Sequence, residues 1–295
     1  VSGDDGGGDD LSLRPTWRSL LFVPANAPRR WEKAHLRDAD AVIIDLEDSI
    51  QPEAKTEARE YVAPAIDHLS RQGMATLVRV NNEPHRIEGD LDAAVRAGLT
   101  AVMLPKASGP EQIQWLGQAI RRRERDRGLV SGQIGVLAVI EDPLALEAAG
   151  RIAACEGIVG LALGGEDFAL ALGRAPTPAC LNLACSMTAY AARARGLMAI
   201  GMSCGIGNYT DLEEWSAHAR NAYAMGMTGA LAIHPDQIRP LNIAFGPTAA
   251  DLREADDIVS AWEDRTSDVF SLNGRMIDQP VVERARRLLG QRSPK

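Results

Sequence analysis

The chain has 295 residues, 45% of them hydrophobic and 24% charged, which excludes a collagen-like, mucin-like or mainly disordered polypeptide. That length suits one α/β barrel as well as it suits two ordinary domains. The net charge of −8 gives no electrostatic footing for nucleic acid or an anionic membrane surface, so a polyanionic ligand would need local arginines or backbone amides.

The first 12 residues, Gly- and Asp-rich, read as a disordered tail. They have neither a basic nor an apolar stretch, so they are not a signal peptide. Short apolar runs then alternate with segments of helical periodicity. The runs are Ser19–Pro24, Ala41–Asp45, Thr76–Val80, Ala101–Leu104, Gly135–Ile140, Ile158–Leu163, Leu197–Met202 and Ala230–Ile233. Helices are expected over Pro28–Arg37, Ala54–Ser70, Gly89–Ala97, Pro110–Asp126 and Asp211–Met225 between them, and over Asp251–Glu263 and Pro280–Leu289 beyond them. Continuous apolar strands imply burial on both faces, and eight strand–helix units are the number that closes a (β/α)8 TIM barrel. An open dinucleotide-binding sheet is disfavoured because Pro24-Ala-Asn-Ala-Pro28, not a G-x-G-x-x-G turn, follows the first run. The expected organisation is a tail over 1–12, a barrel over 13–264 and a C-terminal helical arm over 265–295.

The four cysteines, Cys155, Cys180, Cys185 and Cys204, form no C-x-x-C pair and no zinc-finger spacing. They read as reduced, mostly buried thiols of a cytoplasmic protein. No stretch approaches the ~18 apolar residues of a membrane span.

In such a barrel the chemistry sits at the C-terminal strand ends. There the chain places Asp45-Leu-Glu-Asp48, Arg79 with Asn81-Asn82, Pro105-Lys106, Glu141-Asp142, Gly164-Gly-Glu-Asp167 and His234-Pro235. Glu141 and Asp167 end adjacent strands, which lie ~4.8 Å apart. They could share a hard ion such as Mg2+, or Mn2+, through their oxygens; equally, Glu141 could cap a loop and Asp167 a helix at Phe168–Leu172. Asp45 and Glu47, two apart, point to one side of an extended backbone. They could orient metal-bound water, hold Arg79, or simply begin a helix. Arg79 needs an anionic partner in a buried position, either those acids or a substrate carboxylate that its fork would grip. Lys106 could neutralise the acidic rim or stand solvated. His234 has no Ser or Cys nearby to make a triad and reads as a positioning residue.

These blocks resemble the citrate lyase β-subunit-like family of acyl-CoA lyases, within the aldolase/citrate lyase superfamily. The matching elements begin with Arg18-Ser-Leu-Leu-Phe-Val-Pro24, Ala39–Asp48 with Lys55 and Ala58-Arg59, and Val78-Arg-Val-Asn81. They continue with Met103-Leu-Pro-Lys106, Ile140-Glu141, Leu163–Asp167, Ile233-His-Pro-Asp-Gln237 and Gly274–Pro280. The resemblance implies a TIM barrel that binds Mg2+ through Glu141 and Asp167, with Arg79 contacting substrate near the cleaved bond. It also implies an acid on the C-terminal arm, matching Asp278, that reaches a neighbouring subunit of a homotrimer or hexamer. The implied reaction is retro-Claisen cleavage of a carboxylated 3-hydroxyacyl-CoA, of malyl-CoA or citramalyl-CoA type, to an acyl-CoA and a 2-keto acid. Arg29, Arg30 and Lys33 are candidates for the CoA phosphates, or a solvated helix face.

Three departures fall in the expected pocket: Ala25-Asn26 where the family usually has Gly, Asp142-Pro143 after Glu141, and Gly201–Gly207 in place of an acid-rich segment. They bear on substrate identity. Other activities compatible with these residues are a metal-dependent aldolase on free 2-keto-3-deoxy acids, a malyl-CoA thioesterase or malate synthase-like enzyme, and a citrate lyase β-subunit that needs partner subunits. A non-catalytic CoA-binding subunit is disfavoured by the retained Glu141, Asp167 and Arg79.

Overall fold

The structure, a computed structural model, describes residues 17–265 and 267–290; the expected N-terminal tail lies outside these. They divide into two compact units, one ending at Phe245 and one beginning at Gly246.

The first unit is a barrel of eight parallel strands: β1 Ser19–Pro24, β2 Ala41–Asp45, β3 Ala75–Arg79, β4 Ala101–Leu104, β5 Gly135–Ile140, β6 Ile158–Leu163, β7 Met198–Ile200 and β8 Ala230–Ala232. Each follows its predecessor around the ladder, and β8 returns to pair with β1. Between β7 and β8 the closure is a single bridge, Ile200 with Gly229, reinforced by the Thr228 amide donating to Ala199 O at 2.7 Å. Gly229 is obligatory there, because a Cβ would collide with the carbonyl oxygen of Trp17.

The apolar strands serve two cores at once, since successive side chains point to opposite faces. Leu20, Ala41, Ile43, Leu77, Ala101, Met103, Leu137, Val139, Ala162 and Ile200 fill the barrel interior. Their neighbours in sequence, such as Val42, Ile44, Val78, Val102, Ala138 and Leu161, pack outward against the helices. The same alternation aims the last residues of several strands. Asp45 shares the inward side of Ala41 and Ile43, Arg79 that of Leu77, and Glu141 that of Leu137 and Val139.

Most helices lie where periodicity put them, with Pro110–Asp126 matching and Leu212–Ala224 one residue shorter at each end. The segment after β1 is instead one turn of α-helix, Pro28–Trp31, and a 3-10 turn, Ala34–Arg37. The helix before β4 spans Pro84–Ala94, starting at a proline in its first turn.

The second unit contains the helix Ala249–Glu263, an antiparallel hairpin of β9 Phe270–Leu272 and β10 Arg275–Ile277, and the helix Gln279–Gly290. Ala255, Ile258, Trp262, Ile277, Val282 and Ala285 form its core. Ala255, Ile258 and Trp262 place the helix Ala249–Glu263 in this core with the hairpin and the terminal helix.

Candidate active site

Asp45 and Arg79 are register partners at the ends of β2 and β3, and their side chains meet in a two-pronged pair. Arg79 Nε donates to Asp45 Oδ1 and Nη2 to Asp45 Oδ2, each at 2.7 Å. Arg79 Nη1 lies 3.1 Å from Asp48 Oδ2 and 3.0 Å from Glu47 Oε2, and the guanidinium sits over the Phe22 ring at 4.6 Å from its centroid. Burial would raise the Asp45 pKa, but the paired guanidinium and the Ser49 and Glu47 amides outweigh it and hold the carboxyl below its ordinary value. Asp48 is an exposed partner that the sequence reading did not assign to Arg79. Its place directly after Glu47 was the signal for it, since a turn there brings Asp48 back toward the strand end.

A buried amide network holds that turn in place. Asn81 Nδ2 donates to Leu46 O at 2.9 Å and to Asp90 Oδ2 at 2.7 Å, while Lys55 Nζ donates to Asn81 Oδ1. Arg59 closes the set by donating to Asp90 at 2.7 Å. The Lys55 and Arg59 of the recognised motif thus support the rim without reaching it themselves.

Glu141, 7% exposed, belongs to a second corner of different character. Its Oε2 accepts from the Lys106 backbone amide at 2.6 Å. The Lys106 ammonium turns away to Glu47 Oε1 at 2.6 Å. Burial, with the like charges of Glu47 and Asp167, pushes the Glu141 pKa up to about 7. Glu47 is also raised, by burial first, against the pull of Arg79 and Lys106. Its buried Oε2 faces Arg79 outside hydrogen-bond geometry. Gly164 leaves room for this arrangement, as a Cβ there would lie 2.6 Å from Glu141 Oε1.

Asp167 is half-buried in the first turn of the helix Gly165–Ala171, whose N-cap is Gly164. It is therefore not the cap that one reading of the sequence allowed. The cap of the helix after β5 is Asp142, which accepts from the Ala145 amide at 2.9 Å, and Glu141 is left free of that duty. Among the described residues no three His, Cys, Asp or Glu side chains converge into a ready metal cage. Mg2+ does not need one, because it is commonly held by one or two carboxylates plus water and substrate. Two hard carboxylates beside a third, short of positive charge, fit such an ion.

Residues 18–235 match the family described as HpcH/HpaI aldolase/citrate lyase. This chain belongs to that family. It is 34% identical over 280 residues to the citrate lyase subunit beta of Haemophilus influenzae, covering 92% of this chain and 95% of that protein. It is 28% identical over 294 residues to the mitochondrial citramalyl-CoA lyase of Rattus norvegicus, covering 92% and 85%. A crystal structure of the protein CitE from Mycobacterium tuberculosis, in complex with magnesium, acetoacetate and coenzyme A, superposes with a TM-score of 0.76 at 29% identity, covering 95% of this chain and 99% of that one. The expected family, lyase class and barrel therefore hold.

The remaining candidates sit as follows. Arg29, Arg30 and Lys33 are exposed on and just after the turn that follows β1. Asp278 is half-buried in the second unit, where its Oδ1 accepts from the Val281 amide at 3.2 Å at the start of the terminal helix. His234 caps a 3-10 turn through Nδ1, which accepts from the Asp236 amide at 3.3 Å, and stacks on Tyr209 with centroids 4.7 Å apart. Gln237 Oε1 accepts from the Ile233 and His234 amides, and its Nε2 donates to Ile206 O. The His-Pro-Asp-Gln block is thus a lock on the loops after β7 and β8. All four cysteines are free, with Cys185 buried and the others half-buried. Among the described residues no helix is long and apolar enough to cross a membrane.

Proposed function

We propose that the chain cleaves a carboxylated 3-hydroxyacyl-CoA, malyl-CoA or citramalyl-CoA in type, into an acyl-CoA and a 2-keto acid, with Mg2+ held by Glu141 and Asp167. The observation that carries this reading is the pairing of two opposite corners on one rim. An arginine fixed by acids stands beside acids that lack a cation, in a chain similar to citrate lyase β and citramalyl-CoA lyase along most of its length.

When bound, the ion supplies Lewis-acid polarisation of the carboxylate and hydroxyl oxygens on the carbon whose bond breaks. Arg79 supplies the charge complement on the other product. Asp45 engages its Nε and one Nη2 hydrogen, and Asp48 one Nη1 hydrogen, so two of the five guanidinium hydrogens are left for the thioester enolate oxygen. In cleavage the hydroxyl gives its proton to solvent water, the C–C electron pair passes into the thioester enolate, and the enolate carbon takes a proton. Asp278, from the C-terminal unit of a neighbouring chain in a trimer or hexamer, is assigned that last transfer. Its support is the match to the family's arm motif, and the helix cap fixes its carboxyl locally. The exposed Arg29, Arg30 and Lys33 after β1 are assigned to the CoA phosphates. The free thiols support a cytoplasmic setting.

The test is turnover of a panel of malyl-, methylmalyl-, citramalyl- and citryl-CoA with Mg2+, followed by mass spectrometry, with EDTA and Glu141→Ala as controls. Metal-dependent acetyl-CoA or propionyl-CoA plus a keto acid is the expected outcome. Release of free CoA with an intact hydroxy acid would make the protein a thioesterase, and no turnover of any thioester would overturn the reading for the chain acting alone.

A further inference from the structure

Lys106 occupies the left-handed region, with φ +49°, a conformation that a long side chain avoids and glycine accepts freely. The turn it forms, between β4 and the helix Pro110–Asp126, carries two contacts of the candidate site. Its backbone amide donates to Glu141 and its ammonium to Glu47. The φ of Lys106 sets the angle between that N–H on one side and the side chain and carbonyl on the other. Relaxation to an ordinary negative φ would swing at least one of them off its partner.

The restraint comes from outside the turn. Both hydrogens of the Asn82 amide are spent on it, Nδ2 donating to Pro105 O at 3.0 Å and to Lys106 O at 2.9 Å. Asn82 is itself held by Gln112, whose Nε2 donates to Asn82 Oδ1 at 2.6 Å. Gln112 is held in turn from the chain just past the turn, its Oε1 accepting from Ser108 N at 2.9 Å and Ser108 Oγ at 3.0 Å. This ring of hydrogen bonds ties the end of β3, the turn after β4 and the first turn of the helix Pro110–Asp126 into one piece. Its output is a backbone N–H aimed at one oxygen of Glu141, whose other oxygen lies over the bare Gly164 at the start of the Asp167 helix.

We infer that Asn82 and Gln112 are positioning residues for the Glu141 site: they clamp the Pro105–Lys106 turn in its left-handed form, and so fix the carboxylate that receives the ion. The inference rests on Glu141 as a metal ligand, and adds that the ligand's geometry is set two shells away, by a strand and a helix that contribute no ligand. Outer partners of this sort change metal affinity by about 10–100-fold when removed.

The test is Mn2+ binding to the metal-free protein, by calorimetry and by the electron paramagnetic resonance of unbound Mn2+, with kcat and KM measured separately on any thioester turned over. Asn82→Ala is expected to weaken Mn2+ binding about tenfold, and to leave KM for the thioester unchanged at saturating metal. Gln112→Glu keeps the acceptor for Ser108 but cannot donate to Asn82, so it should lose affinity in the same direction and by less. It carries the test if Asn82→Ala fails to fold by circular dichroism. In a Lys106→Gly background the turn needs no clamp, and the loss caused by Asn82→Ala should shrink.

Wild-type affinity in both Asn82→Ala and Gln112→Glu overturns the clamp alone. An undiminished loss in the Lys106→Gly background overturns the turn as its route. No Mn2+ uptake by the wild type overturns the metal reading of the site, and this inference with it.

Discussion

The two corners of the rim solve opposite electrostatic problems with the same residue types. Around Arg79, three carboxylates share one guanidinium, and Asp45, 1% exposed, is held ionised by it. Around Glu141 the nearest cation, the Lys106 ammonium, is turned to Glu47, and the carboxyl has only a backbone amide. The first corner pairs its charges from its own residues. The second is left short of positive charge, which is unfavourable for the chain alone and favourable for an ion arriving from solution. Stability is built at one corner and withheld at the other, within one ring of strand ends.

The sharpest way to separate them is to neutralise each. Glu141→Gln should lower turnover by about 10^3-fold or more, since the ion's stabilisation of the transition state is worth several kcal/mol. The same variant should raise the melting temperature of the metal-free protein at pH 8. Arg79→Met should do the reverse to stability, costing about 3–5 kcal/mol in denaturant titration because Asp45 stays buried without its partner. If both variants lost stability equally, the contrast between the corners would be wrong.

Their pH responses should also oppose each other. With Glu141 near 7 in the folded chain against an ordinary 4.5, the native state binds the extra proton between those values. Its contribution is fully present below pH 4.5 and is lost as the pH rises through 7, a change on the order of 3 kcal/mol. Mn2+ affinity should climb over the same interval as the carboxyl gives up its proton. The Asp45 pair, with its pKa held down, contributes above the ordinary 3.8 and is lost as the pH falls through its lowered value. Denaturation with and without Mg2+ from pH 2 to 8 reads both, the Asp45 pair at the acid end and Glu141 at the upper, and added metal should flatten the upper slope. The smallest effect belongs to Lys106→Met. Its ammonium is half exposed, so loss of the Glu47 pair should cost within about 1 kcal/mol, a change of a few-fold in turnover.

The sequence made the barrel readable because its strands are apolar on both faces and separated by strongly periodic helices; β1, β2, β4, β5 and β6 begin and end where composition placed them. It made Arg79, Asp45 and Glu47 readable as a group, since a buried arginine two strand positions beyond Leu77 needs acids at the same level. The hairpin in the C-terminal unit also carries a sequence signal. Asn273 and Gly274 both take positive φ, +50° and +77°, the turn that an Asn-Gly pair between two short strand-like runs, Phe270–Leu272 and Arg275–Ile277, announces. The clamp on Lys106 had no such signal. A left-handed lysine is dictated by a hydrogen bond from Asn82, 24 positions away, which Gln112 in turn holds, and only the folded chain brings Asn82, Lys106 and Gln112 together.

The seam between β7 and β8 has a consequence for how the barrel breathes. Neighbours such as β2 and β3 are laddered along their whole length, whereas this seam is one bridge between three-residue strands, with Gly229 wedged against the Trp17 carbonyl. Amide protons at Gly201 and Thr228 should therefore trade with deuterium well before those of Ile43 and Val78. A cylinder with one weakly stitched edge opens there first when strained. Because Gly229 admits no side chain, substitution at that position cannot stiffen the join.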